Sequence, residues 1–89
     1  MASMLVQHNV KDFAEWKKVF DSVYDLRASN GELSDQIYRD ASNPNSLTVI
    51  FNWDSLENAQ QYAQSPELKA AMEQAGVVGP PSIYFLNEV

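Results

Sequence analysis

The chain has 89 residues, a formal net charge of −6 at neutral pH and no cysteine, which predicts one domain spanning residues 1–89 and excludes disulfides, thiolate metal sites and cysteine nucleophiles. Its six Lys and Arg residues form no basic block, so we expect no nucleic-acid partner. No apolar run approaches the roughly 20 residues of a membrane span and the first residues lack a secretory pattern, so we expect no membrane association and a cytoplasmic location.

Four short runs have the residue types of β-strands: Met4–Val10, Leu33–Asp40, Ser46–Trp53 and Ser82–Leu86. The first run is partly apolar on both faces and the third is the most apolar segment, which favours central positions for both, whereas the polar second run is predicted to be an edge strand. Helix-period stretches separate the first run from the second and the third from the fourth. This order predicts a ferredoxin-like α+β fold (βαββαβ), with a four-stranded antiparallel sheet and helices on one face.

The first helix has clear start and stop signals. Asp12 is a suitable N-cap, and Glu15 three residues later completes a capping box. The apolar stripe extends as far as Leu26 and also includes Arg27. Gly31, or the asparagine before it, is expected to end the helix in the left-handed conformation.

The second half of the chain contains three further signals. Asn43-Pro44-Asn45 predicts the turn of a hairpin between the second and third strands. The second helix is predicted to be broken, with a first piece over Leu56–Gln64 and a restart at Ser65-Pro66-Glu67. Val77–Pro81 is predicted to be a stiff connector rather than a strand, because its two prolines cannot donate ladder hydrogen bonds.

A sheet with helices on one face leaves its other face uncovered. The simplest second layer is a second copy of the same chain. We therefore expect a homodimer in which the two sheets pair.

His8 is the only histidine and lies on a predicted central strand. It is a candidate catalytic residue, because its ordinary pKa lies near neutrality and it can act as a general base or orient a ligand. The alternative is a core histidine bonded to a neighbour. The chain has no second His and no Cys, and no residues show the usual spacing of metal ligands, so we predict neither a metal nor another cofactor.

Arg27 and Arg39 are the other two candidate catalytic residues. Planar guanidinium groups can bind a carboxylate, quinone or phenolate oxygen and stabilise developing oxyanion charge. Alternatively, Arg27 extends its head to solvent at the helix end, and Arg39 pairs with Asp35 or Asp40.

The candidate ligand-binding residues are mainly aromatic, and they would form the walls of a pocket between helices and sheet: Trp16, Tyr24, Trp53, Tyr62, Met72 and Tyr84. The alternative is that these side chains are ordinary core or dimer interface. An open cavity of about 300 Å³ or more beside His8 would favour ligand binding, whereas a packed interior would favour a structural role.

Several segments together resemble the dimeric α/β-barrel superfamily. They are the run from Val6 to Asp21, Arg39-Asp40 with Asn43-Pro44-Asn45, Phe51-Asn52-Trp53, Ser65–Leu68, and Val77–Pro81 with Tyr84. The superfamily includes the antibiotic biosynthesis monooxygenases, haem-degrading enzymes and stress-responsive proteins. The match covers nearly the whole chain and is specific for the fold.

The resemblance implies a dimer whose sheets form a barrel, with a cavity in each subunit. Its cofactor-independent monooxygenases bind a polycyclic phenol there, using Asn, Trp, Tyr and Arg, and let the deprotonated substrate react with oxygen. Here Asn52 and Trp53 are adjacent on one strand and should point to opposite faces. The haem-degrading members use a helix-borne histidine, whereas His8 lies on a predicted strand, so the resemblance does not extend to haem.

Two hypotheses about function remain. One is a monooxygenase-like homodimer acting on an aromatic or quinonoid compound, with His8 as base. The other is a non-catalytic ligand-binding, structural or stress-related barrel.

Overall fold

The computed structural model describes residues 2–89. Its strands are β1 (Ala2–Val10), β2 (Glu32–Asp40), β3 (Asn43–Trp53) and β4 (Val77–Asn87), and its helices are α1 (Phe13–Ser22), α2 (Tyr24–Ser29), α3 (Leu56–Ala63) and α4 (Pro66–Gln74). The strands form one sheet in the order β2-β3-β1-β4, with all neighbours antiparallel. The ferredoxin-like α+β fold is therefore confirmed.

β1 and β3 are the central strands, as the sequence predicts, and β2 is an edge strand. Alternate residues of β1 and β3 are buried, and those with the least exposed side chains include Met4, Val6, Val49 and Trp53. Helix residues such as Trp16 belong to the same core cluster. The helices thus cover one face of the sheet and leave the other face open.

The helix boundaries follow the capping signals, with one exception. Asp12 caps α1, because its Oδ2 accepts a hydrogen bond from the Glu15 amide at 3.0 Å. The predicted single first helix is interrupted at Val23, however. The preceding Ser22 hydroxyl donates to the Val19 carbonyl at 2.7 Å, and this kind of bond bends helices.

The second helix is broken as predicted. Ser55 caps α3 by accepting from the Asn58 amide, and Ser65 caps α4 by accepting from the Leu68 amide. In the part of the chain that the structure describes, no helix combines the length and apolar character needed to cross a membrane.

The prediction for Val77–Pro81 was wrong, because β4 begins at Val77. β4 is an edge strand and pairs only with β1, and prolines are tolerated in edge strands and at bulges. Gln7 pairs with Ser82 and Asn9 pairs with Val78, so three residues of β4 lie opposite His8. The prolines therefore belong to a bulge in the strand beside His8.

The predicted position of the hairpin turn was also wrong. β2 ends at Asp40 and β3 begins at Asn43, so the turn precedes the Asn-Pro-Asn segment. Asp40 Oδ2 accepts hydrogen bonds from the Ser42 amide at 3.0 Å and the Ser42 hydroxyl at 2.8 Å. This local Asx-type bonding closes the chain before Pro44 is reached.

Candidate functional site

A cavity lies between the sheet and the helices and has a volume of about 50 Å³. β1 and β3 form its floor, while α1 and α4 supply facing walls. Its lining is apolar apart from three side chains, His8, Arg27 and Tyr62. The cavity is far smaller than the about 300 Å³ expected of an open ligand site.

His8 has no hydrogen-bond partner within the described structure, at either ring nitrogen. Its side chain points to the helix-covered face, and the residue is only 9% exposed. Burial lowers the pKa of His8, which keeps the imidazole neutral at pH 7. The indole of Trp16 lies 5.8 Å from it between ring centroids. A buried polar group without a partner requires an explanation, and a bound ligand or water supplies one.

Arg27 borders the same cavity and has a partner inside the protein. Its Nε donates to Glu32 Oε1 at 3.0 Å, its Nη1 donates to the Phe20 carbonyl at 2.8 Å, and its Nη2 lies 3.8 Å from Asp35 Oδ2. The guanidinium also stacks over the Phe20 ring at 3.8 Å. Arg27 is only 2% exposed, so it does not extend to solvent as one interpretation of the sequence had it.

Glu32 is the buried counter-ion of Arg27. Burial raises the pKa of Glu32 to about 7, and the nearby Asp35 acts in the same direction, although Arg27 opposes the shift. Burial likewise raises the pKa of the Tyr62 phenol, which lines the cavity close to this pair. At pH 7 Glu32 is therefore only partly ionised, and its ionised fraction together with the Asp35 carboxylate offsets the charge of Arg27.

Arg39 lies outside the cavity, on the exposed part of β2. Its Nε donates to the Pro44 carbonyl at 3.2 Å, and its guanidinium sits 4.4 Å above the Phe13 ring. The ion pair with Asp35 or Asp40 suggested by the sequence does not form in the described structure. Arg27 and Arg39 are thus not brought together.

The candidate ligand-binding residues divide into two groups. Trp16, Tyr62 and Met72 line the cavity. Three others do not line it: Trp53, Tyr24 and Tyr84. Trp53 is fully buried against Tyr62 at 5.3 Å between centroids, whereas Tyr24 and Tyr84 are 54% and 52% exposed. Tyr84 pairs with Leu5 on the open face of the sheet.

The apolar stripe of α1 forms a continuous aromatic row above the sheet. Phe13 stacks on Trp16, Trp16 stacks on Phe20 at 4.8 Å, and Phe20 contacts Phe51 at 5.9 Å. The spacings of three and four residues predict that the three helical members share one face, whereas the contact with Phe51 depends on how the helix packs on the sheet. This row makes the α1 wall of the cavity rigid.

A second hollow, of about 420 Å³, reaches the face opposite the helices, and its lining also includes His8 and Arg39. One row of polar side chains crosses all four strands there: Tyr38, Thr48, Gln7 and Ser82. Asn52 also points to this face, where it accepts from Ser3 and donates to Ser34, both at 2.9 Å. Asn52 and the buried Trp53 therefore point to opposite faces, as predicted.

Among residues 2–89, no group of three or more His, Cys, Asp or Glu side chains is arranged to hold a metal ion.

The chain belongs to the antibiotic biosynthesis monooxygenase family, whose family model matches residues 6–74. A search of curated proteins found no match. Solved structures share the fold at low sequence identity. A candidate antibiotic biosynthesis monooxygenase from Bordetella bronchiseptica is 15% identical with a TM-score of 0.82, and the match covers 99% of this chain and 96% of that one.

Two further structures extend the comparison. A candidate antibiotic biosynthesis monooxygenase from Caulobacter crescentus is 22% identical with a TM-score of 0.77, over 99% of this chain and 89% of that one. SnoaB, a cofactor-independent oxygenase from Streptomyces nogalater, is 15% identical with a TM-score of 0.73, over 99% of this chain and 94% of that one. At these identities the likeness establishes the fold alone.

Proposed function

We propose that the protein is a homodimeric, cofactor-independent monooxygenase-like enzyme that binds an aromatic or quinonoid compound beneath its helices. The observation that carries this proposal is the neutral imidazole of His8, which borders a cavity with both ring nitrogens buried and unpartnered. Family membership and the similarity to SnoaB support the reaction class.

In the proposed reaction, His8 removes the hydroxyl proton of an electron-rich phenol. The phenolate then donates electrons directly to dioxygen. One oxygen atom forms a new carbonyl on the ring and the other leaves as water, so that a phenol plus O₂ gives a quinone plus water. The substrate supplies all four electrons, so no reductant or cofactor is needed.

The cavity walls have separate roles in this proposal. Trp16 lies beside His8 and would stack against the ring of the substrate, while Tyr62 and Met72 complete the enclosure. Arg27 would hold the α2 side of the cavity in place through its bonds to Glu32 and Phe20. Its charge is balanced by carboxylates, so the stabilisation of an oxyanion that the sequence suggested for Arg27 and Arg39 is not part of this proposal.

The open face of the sheet supports the proposed homodimer. Leu5 and Ile50 are cross-strand partners on this face, and Tyr84 pairs with Leu5 from the other side. Tyr38 and Leu86 remain 52% and 42% exposed. A second sheet packed against this face would remove these apolar groups from water.

A non-catalytic barrel is the second candidate, and the small volume of the cavity favours it. At about 50 Å³ the cavity holds one or two water molecules in the described arrangement. In such a protein His8 would form a hydrogen bond with a trapped water molecule, and no reaction would be catalysed in the cavity.

Oxygen uptake distinguishes the two candidates. Purified protein is incubated with a panel of phenols and hydroquinones, and oxygen consumption is followed with an electrode. We expect uptake above the buffer rate, and a His8→Gln variant should lose about 100-fold or more of it, because an amide cannot act as a base. Lys18→Ala, at an exposed site on α1, is the matched control and should retain the native rate.

Equal uptake by the native protein and His8→Gln would contradict the role of His8. No uptake with any member of the panel, together with a ring ligand that binds in the absence of oxygen, would favour the non-catalytic barrel.

A further inference from the structure

We infer that the cavity beneath the helices selects an uncharged, single-ring aromatic ligand with one oxygen bonded to His8, and rejects both anionic and fused-ring compounds. This inference rests on the proposed function, since it specifies the substrate class of the same site. Three features of the cavity carry it: its charge balance, the unpartnered imidazole of His8 and its unequal walls.

The charge balance disfavours an anion. Among residues 2–89, Arg27 is the only cationic side chain that lines the cavity, and it already faces Glu32 at 3.0 Å and Asp35 at 3.8 Å. The next nearest guanidinium, Arg39, lies over Phe13 outside the cavity. A carboxylate placed here would lose its hydration without gaining a counter-ion, which is strongly unfavourable.

The polar partner suits a neutral oxygen. A neutral imidazole offers one acceptor nitrogen and one N–H donor, so it can accept from a phenol or donate to a quinone carbonyl. The remaining lining near His8 is apolar, with Met4 and Val6 from β1 and Trp16 from α1. One oxygen atom of the ligand therefore bonds to His8, and the part of the ligand next to that oxygen meets hydrocarbon.

The walls set the size limit, because only one of them can move. On one side, Trp16 is 4% exposed and stacks on Phe20 at 4.8 Å, so this wall cannot shift without disrupting the core. On the other side, α4 contains no buried residue and lines the cavity with half-buried side chains such as Leu68 and Met72. The flexible thioether of Met72 is the group most easily displaced.

The volume then favours one ring over several. A benzene-sized cavity needs about 150 Å³, roughly three times the about 50 Å³ present. Displacement of Met72 and Leu68 towards solvent can supply that difference. A fused three-ring compound would also require the Trp16–Phe20 stack to separate.

Binding measured without oxygen tests this inference independently of turnover. Phenol, para-hydroxybenzoate, naphthol and anthrone are titrated into the full-length protein under anaerobic conditions by calorimetry. We expect phenol to bind at least about 100-fold more tightly than para-hydroxybenzoate, because the carboxylate is buried without a partner. Anthrone should not bind measurably.

Two variants test the causes separately. Glu32→Gln removes one of the carboxylates that balance Arg27, so affinity for para-hydroxybenzoate should rise at least about 10-fold while affinity for phenol stays within about 2-fold. Met72→Ala shortens a side chain of the movable wall and so enlarges the cavity. The affinity for naphthol should then equal the affinity for phenol. Circular dichroism and urea unfolding confirm that each variant is folded.

Tighter binding of para-hydroxybenzoate or anthrone than of phenol by the native protein would overturn the inference, and so would the absence of any ring binding at millimolar concentration. Oxygen-dependent consumption of anthrone would overturn it while leaving the proposed function intact. The expected binding order without oxygen uptake would leave the inference standing and remove the proposed function.

Discussion

Arg27 and Glu32 form a buried ion pair in which the guanidinium Nε donates to the carboxylate at 3.0 Å. Their side chains are 3% and 1% exposed, so neither charge is hydrated. The pair links the end of α2 to the start of β2, directly across the turn that contains Gly31. It therefore couples the wall of the cavity to the edge strand of the sheet.

The first prediction concerns the effect of pH on stability through Glu32. Its pKa is raised from 4.5 to about 7 in the folded protein, so the folded state binds a proton more tightly than the unfolded state. The stabilisation associated with that proton is fully present below about pH 4.5 and is lost as the pH rises through 7. The free energy of unfolding, measured with urea, should fall over this range by at most about 3 kcal/mol.

A Glu32→Gln variant isolates this contribution. His8 has a lowered pKa and acts in the opposite direction, stabilising the fold above about pH 6.5 and less as the pH falls. The difference between native protein and variant removes the His8 contribution, which both share. A difference that does not change between pH 4.5 and 7 would contradict the prediction.

The second prediction is that Arg27→Met destabilises the protein strongly. It leaves Glu32 buried without its partner, and breaking a buried pair in this way costs about 3–5 kcal/mol. A second change, Glu32→Leu, removes the orphaned carboxylate and should recover most of the loss. Urea unfolding of both variants measures this. If the double variant is no more stable than Arg27→Met, the carboxylate is not the cause.

The main features of the fold could be predicted from the sequence because they depend on local signals. The Asp12 and Ser65 caps were recognised from neighbouring residues, and the apolar content of β1 and β3 identified the central strands. The start of β4 could not be predicted in this way. Pro80 and Pro81 argue against a strand locally, and only the edge position of β4 and the bulge opposite His8 accommodate them.

The candidate site shows the same division between local and long-range information. His8 and Trp16 were recognisable as a rare imidazole and a large aromatic on inward-facing positions. The neutralisation of Arg27 was not, because Glu32 begins a strand after a turn and its burial depends on how that strand packs. The stabilisation of oxyanion charge that the sequence suggested for Arg27 and Arg39 depended on this packing.

The third prediction is that His8→Phe maintains or increases stability while abolishing ligand binding. The change removes two buried nitrogens without partners and places a similar ring beside Trp16. Replacing an unsatisfied buried polar group by an apolar one of similar shape is neutral or favourable, here by up to about 2 kcal/mol. Urea unfolding at pH 7.5 and phenol titration measure the two effects.

A side chain that lowers stability but supports ligand binding is expected at a binding site. Lys18→Ala again serves as the exposed control, with unchanged stability and binding. A loss of more than about 1 kcal/mol in His8→Phe would show that the imidazole makes stabilising bonds in solution.

The fourth prediction concerns the open face of the sheet. Ile50 lies near the middle of that face, between Gln36 on β2 and Leu5 on β1. In a face-to-face dimer, Ile50→Lys would bury two uncompensated ammonium groups at the interface, which should shift the protein to monomer. Light scattering should give twice the 10.0 kDa chain mass for the native protein and the single mass for the variant.

Gln74→Lys, which adds the same charge on the exposed side of α4, should remain dimeric. A native protein that is monomeric at micromolar concentration would rule out this assembly. The apolar side chains around Leu5 would then be exposed to water in the functional state.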